Sequence, residues 1–217
     1  MSVIVNYHPD STIQVDFTAM TIDNSFGSWN WFHSPVGNGP TLLQPANHSL
    51  GHMIHFVGPV IPLNAIILNA FYKTSYWGAA GIPPWGAGGN ATGKITANKA
   101  LALVYPSNFT EYQALVRTPT VVPFFPIANV GAFLQIPNGP EQASFAQCIQ
   151  DVISALGNNG ELTFFVEDNS SPAGDVRYFY VDTWPFPGTT FLHIEYNVPV
   201  PVVPSSFEKK LFATGAI

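Results

Sequence analysis

The chain has 217 residues, enough to bury a sizeable core in one domain, and 47% of them are hydrophobic. Only 9% are charged, with a formal net charge of −6, where a typical soluble domain carries roughly 25% charged residues. Seven Lys and Arg scattered along the sequence offer no basic face for nucleic acid, and a single cysteine excludes an intrachain disulfide. So little charge suits a chain that hides surface against other subunits or presents polar, uncharged loops.

In chain order, the opening Met-Ser-Val-Ile-Val-Asn-Tyr-His lacks the basic and long apolar regions of a secretory signal, and none is expected. Ile13, Val15, Phe17 and Ala19 alternate with polar residues and predict a strand with one solvated face. Ser25 to Gln44, dense in Gly, Pro, Asn and Trp, predicts a long loop holding a short strand. Gly51–Val57 and Leu63–Trp77 follow as strands. Met53 to Tyr72 is long and uncharged enough to suggest a membrane span. Its prolines, asparagines and Gly58 instead predict two strands and a turn, so no span is expected.

Gly78 to Gly93 has loop composition and is expected at the surface. Ile95 to Tyr105 resumes strand character, and Ser107 is placed to cap a short helical turn from Thr110 to Val116. Three prolines make Thr118 to Ile127 extended but a poor central strand. Asn129 to Ile136 predicts another strand. One clear α-helix is expected over 140–156: Pro140 starts it, Phe145, Ile149, Val152, Ile153 and Leu156 fall on one side, and Gly157 ends it. Glu161 to Val203 alternates with period two through three runs separated by turns, and predicts a β-meander closing the domain. The sum is an all-β fold, a β-sandwich or jelly roll of about eight strands with the helix packed at one end, in a single domain over 1–217 with long Pro/Gly-rich loops.

Candidate chemistry is sparse. Gly88 to Lys94 has P-loop spacing, but Ile95 follows the lysine where magnesium needs Ser or Thr, and a strand is expected where the motif needs a helix. His48, His52 and His55 cluster, yet His52 and His55 should point to opposite faces of one strand. His8 and Asp10, with His193 as a distal partner, form a second and weaker metal pattern. The remaining reading is core or interface histidines, some able to sense pH. Asp168 and Asp175 bracket an oxygen-rich turn that could take calcium at a subunit contact, although Asp, Asn, Ser and Gly are also what a turn requires. Cys148 falls on the apolar side of the helix, no Gly-x-Ser-x-Gly elbow occurs, and no enzyme activity is expected. Trp29, Trp31, Trp77 and Trp85 lie in or beside loops, where tryptophan anchors protein interfaces or stacks on sugars.

The low charge, the Pro- and Gly-rich β framework and a last strand, Thr190-Phe-Leu-His-Ile-Glu-Tyr-Asn-Val198, running into Pro199-Val-Pro-Val-Val-Pro204 resemble the coat proteins of small non-enveloped icosahedral viruses. Gly160 to Val166 and Asp175 to Tyr180 resemble the strands that precede that one. The chain has no basic N-terminal arm, so the resemblance is to picornavirus-like or tymovirus-like subunits. It implies a structural capsid subunit, made in the host cytoplasm and residing in the virion, whose partners are copies of itself and sister coat subunits, with the loop tryptophans at the surface or around symmetry axes. The alternative is a lectin-like β-sandwich that binds carbohydrate through loop tryptophans and calcium.

Overall fold

β1 (Ser2–Asp16) is the strand on which the two layers of the molecule turn. Its register slips between Pro9 and Ser11, leaving Asp10 as the extra residue of a bulge. Ser2 to Tyr7 pair with β11 in one layer and His8 to Asp16 with β4 in the other, as strands do where a sheet turns a corner. The computed structural model describes residues 2–23, 32–39, 47–76, 92–100, 104–124, 133–137, 140–157, 159–181 and 190–199. Beyond β1 these form β2 (Thr21–Asp23), β3 (Phe32–Gly39), β4 (His48–Val57), β5 (Ile66–Tyr76), β6 (Gly93–Ala97), α1 (Phe109–Ala114), β7 (Val122–Phe124), β8 (Phe133–Ile136), α2 (Glu141–Leu156), β9 (Glu161–Asp168), β10 (Asp175–Val181) and β11 (Phe191–Asn197).

The protein is all-β with a sandwich-like, curled antiparallel sheet. One layer runs from the first half of β1 through β11 and β5 to β8 and β10. The other runs β2, second half of β1, β4, β9, β6, β7. β3 pairs with both β10 and β4 and joins the layers a second time. The predicted terminal meander is corrected by this order. β9 lies between β4 and β6, β10 between β5 and β3, and β11 between β1 and β5, so no two of the three are neighbours. Period-two alternation reports that a strand has an inside, but ladder bonds are made by backbone and carry no mark of the partner. The apolar stretch from Met53 to Tyr72 comprises the end of β4, a connection and most of β5, and no described helix is long and apolar enough to cross a membrane.

The main core joins Ile54 and Phe56 of β4, Ala70 and Tyr72 of β5, Phe164 and Val166 of β9, Leu192 and Ile194 of β11 and the apolar side of α2. α2 packs against β5 in one layer and β6 and β7 in the other. Gln150 fastens it to β5, accepting from the Ile67 amide at 2.8 Å and donating to the Ala65 carbonyl at 3.1 Å. Pro140 precedes its first turn and Gly157 ends it at φ 72°, a left-handed conformation that glycine reaches without penalty. β7 carries Pro123 at the outer edge of its layer, as the missing proline donor requires. Close approach of β6 and β7 depends on Gly93, where a Cβ would lie 2.3 Å from the Phe124 ring.

A second, smaller core lies on the outer face of β1, β4 and β9, where Ile13, Val15, Met53 and Phe165 are covered by Tyr112 of α1. The cap of α1 falls one residue later than Ser107, and the helix runs from Phe109 to Ala114 rather than from Thr110 to Val116. Asn108 is its cap, accepting from the Glu111 amide at 3.0 Å, while the Glu111 carboxylate accepts from the Ser107 amide at 2.7 Å and the Asn108 side chain at 2.8 Å.

Candidate functional site

Two clusters of hydrogen-bonded polar side chains lie on this outer face, at its two ends. At one end Glu167, 8% exposed, accepts from the Tyr112 hydroxyl at 2.7 Å and from Arg117 Nη2 at 3.1 Å, with Lys94 Nζ 3.8 Å from its other oxygen. The Arg117 guanidinium sits 4.2 Å over the Phe165 ring and 4.9 Å over the Tyr112 ring, so charge and aromatic faces hold α1 to the sheet together. Burial and then the Glu167 charge push the Tyr112 hydroxyl well above its ordinary value, which keeps it a neutral donor.

At the other end His55, 4% exposed, shares a hydrogen bond between Nδ1 and the Thr163 hydroxyl at 2.8 Å. Tyr105 stands edge-on over its ring at 5.9 Å between centroids. The Tyr105 hydroxyl in turn bonds Ser11 Oγ at 2.7 Å and donates to Asp10 Oδ2 at 3.3 Å. Ser11 and His55 are directly opposite in the β1–β4 register. Ser11 nevertheless bonds the tyrosine and His55 Nδ1 bonds Thr163, so this is not the serine–imidazole hydrogen bond that activates a nucleophile.

Of the calcium candidates, Asp168 ends β9 and uses both oxygens on protein donors: Ser49 Oγ at 3.0 Å and the Ser171 amide at 3.0 Å. Ser171 and Thr92 then lock the turn to the start of β6 through Thr92 N–Ser171 Oγ and Thr92 Oγ1–Asn169 O bonds of 2.9 and 2.6 Å. Asp175 opens β10 opposite Asn38, and its side chain lies outside the described residues. A calcium ion here would have to share carboxylate oxygens that already accept hydrogen bonds folding the loop. Replacing Asp168 with Ala is expected to cost about 1 kcal/mol, the worth of these bonds, and to speed exchange of the Ser171 amide, read by denaturant midpoint and hydrogen exchange. Trp29, Trp31, Trp77 and Trp85 all lie outside the described residues.

The histidines are dispersed. His52 is fully buried on the inner face and His55 lies on the outer, as the spacing predicts. His48 Nδ1 bonds Asp16 Oδ2 at 2.7 Å, and the other oxygen of Asp16 caps the turn after β1 through the Thr18 and Ala19 amides. His193 stacks on Phe71 at 4.5 Å and bonds Asn6, on the outer face of the other layer, whereas Asp10 turns to Tyr105. Among the described residues no three His, Cys, Asp or Glu side chains are grouped to hold a metal ion. The residues of the P-loop pattern that are described run straight into β6, with Lys94 aimed at Glu167. Cys148 is buried beside Thr118, and burial pushes its thiol up to about 11, so it stays protonated.

Exposed apolar side chains gather elsewhere. Of thirteen large exposed hydrophobics among the described residues, eight belong to three adjoining segments: Val3 and Ile4 in β1, Val57, Val60, Leu63, Ile66 and Leu68 around the β4–β5 connection, and Val198 after β11. The register puts Ser2, Asn197 and Ile66 in one row, which brings the three segments side by side. The connection itself is pinned by the Tyr7 hydroxyl, which donates to the Pro59 carbonyl, and by the Gly58 amide bonded to Gly160 at 2.8 Å. The sequence does not single out this surface, because Leu63–Trp77 reads as one long aliphatic strand with no face assigned to Ile66 and Leu68.

No protein-family model matches the chain, and no curated protein is similar to it at a significant level.

Proposed function

We propose that the chain is a structural subunit of a viral capsid that tiles with copies of itself and sister subunits into a closed shell. The observation that carries this reading is the apolar surface of Val3, Ile4, Val60, Leu63, Ile66, Leu68 and Val198 on a protein with 9% charged residues. Exposed apolar side chains gathered on adjoining segments serve protein contacts, and closed symmetry multiplies weak contacts into a stable assembly. The all-β, sandwich-like fold is of the kind such subunits use, and the few scattered basic residues leave the shell to be held by apolar contacts rather than by packaged nucleic acid. Calcium at Asp168 and Asp175 across a subunit contact belongs to the same reading, with release of the shell by a chelator as its sign.

Light scattering with negative-stain imaging of the purified protein is expected to give uniform particles of megadalton mass. The double substitution Ile4→Lys and Leu63→Lys, at positions 60% and 63% exposed, should reduce them to folded monomer. A wild-type protein that stays at 23.5 kDa at every concentration would overturn the capsid reading in favour of the carbohydrate-binding one.

A further inference from the structure

We propose that Val104 and Tyr105 are a latch over His55, closed on the neutral imidazole and released when that ring gains a proton. The inference is independent of the capsid reading. It starts from the geometry: Tyr105 seals the outer side of His55 with an edge-on ring, and its hydroxyl bonds to Ser11 and Asp10 are what tie this segment to β1. Val104 and Tyr105 are themselves 76% and 45% exposed, and the chain is anchored again at the buried Pro106. Lifting it would give the imidazole to water while leaving β1, β4 and β9 paired.

Every element around His55 contributes to the balance. Asp10 on β1 and Glu161 on β9 are the carboxylates that favour a charged ring, Tyr105 is the titratable group above it, and Ser11 and Thr163 are neutral. Burial outweighs the carboxylates and holds His55 below its ordinary value of 6.5. The closed state therefore binds a proton less readily than the open one. Stability of the latch is fully present above pH 6.5 and is lost as pH falls below it. The ordinary value sets a ceiling: between pH 7.5 and 5.5 the open population can rise by at most about tenfold.

Hydrogen exchange of the amides around residues 104–108, corrected for the intrinsic pH dependence, reads the open population directly. The wild-type protein is expected to open severalfold more at pH 5.5 than at 7.5. His55→Asn, which keeps a side-chain bond to Thr163 but cannot titrate, should flatten the profile. Tyr105→Phe should raise opening at both pH values and keep the slope. A flat wild-type profile, or a slope that survives in His55→Asn, would overturn the latch. Should His55→Asn fail to fold, the ring-proton titration of His55 in the wild-type protein decides: a midpoint below 6.5 supports the proposal and one at or above 6.5 sinks it.

Discussion

Phe164→Ala is expected to lower stability by about 4 kcal/mol, a loss of roughly 10 °C in the thermal midpoint. Phe164 is 2% exposed at the centre of β9, with its ring edge-on to Phe56 at 6.0 Å and tilted against Phe145 of α2 at 5.1 Å. It is thus one of the side chains through which the sheet grips the helix. A cavity there is walled by β4 on one side and by α2 on the other, and a packed helix and a paired strand have little freedom to collapse into it. Thermal unfolding followed by circular dichroism measures the loss. A cost below about 1 kcal/mol would mean that α2 does not seat on β9 as described.

Three residues along the same strand, on its opposite face, Glu167→Ala is expected to cost about 3 kcal/mol. The substitution leaves the Tyr112 hydroxyl without its acceptor and the Arg117 guanidinium between two rings without its counter-charge. Desolvation of those groups has already been met by the fold and is no longer offset. Glu167→Gln keeps the shape and an acceptor, and should cost about half as much. The same cluster has an alkaline signature. With its folded value above the ordinary 10.0, Tyr112 contributes stability that is present below pH 10 and lost as pH rises beyond it. Denaturant midpoints at pH 8 and 10.5 should therefore fall apart more in the wild-type protein than in Tyr112→Phe. Equal pH slopes in the two proteins would remove Tyr112 from this account.

Much of the local structure was legible in residue order. Pro140 and Gly157 bracket α2, whose apolar spacing places Phe145, Ile149, Val152 and Ile153 in the core. The prolines of Thr118 to Ile127 predict an extended segment that is a poor central strand, and β7 lies at the edge of its layer. The spacing of His52 and His55 predicts opposite faces, and they occupy them. The alternation of Leu162, Phe164 and Val166 with Thr163, Phe165 and Glu167 predicts one face of β9 in a core, and both faces are buried. Nothing in the strand announces that α1 and Tyr105, some fifty residues upstream, will cover the second face.

That division has a physical cause. Composition and short-range periodicity by themselves determined an all-β chain, poor in charge, with one long helix and strands of known inside and outside, because those properties follow from solvation and backbone preference within a few residues. The tertiary structure alone decided that β9, β10 and β11 are kept apart by β4, β3 and β5. It also decided that β1 changes layer between Tyr7 and His8, that Glu167 meets Tyr112 and Arg117, and that His55 lies under Tyr105. Those are choices of partner across tens of residues, made by identical backbone bonds and settled only when the whole core packs at once.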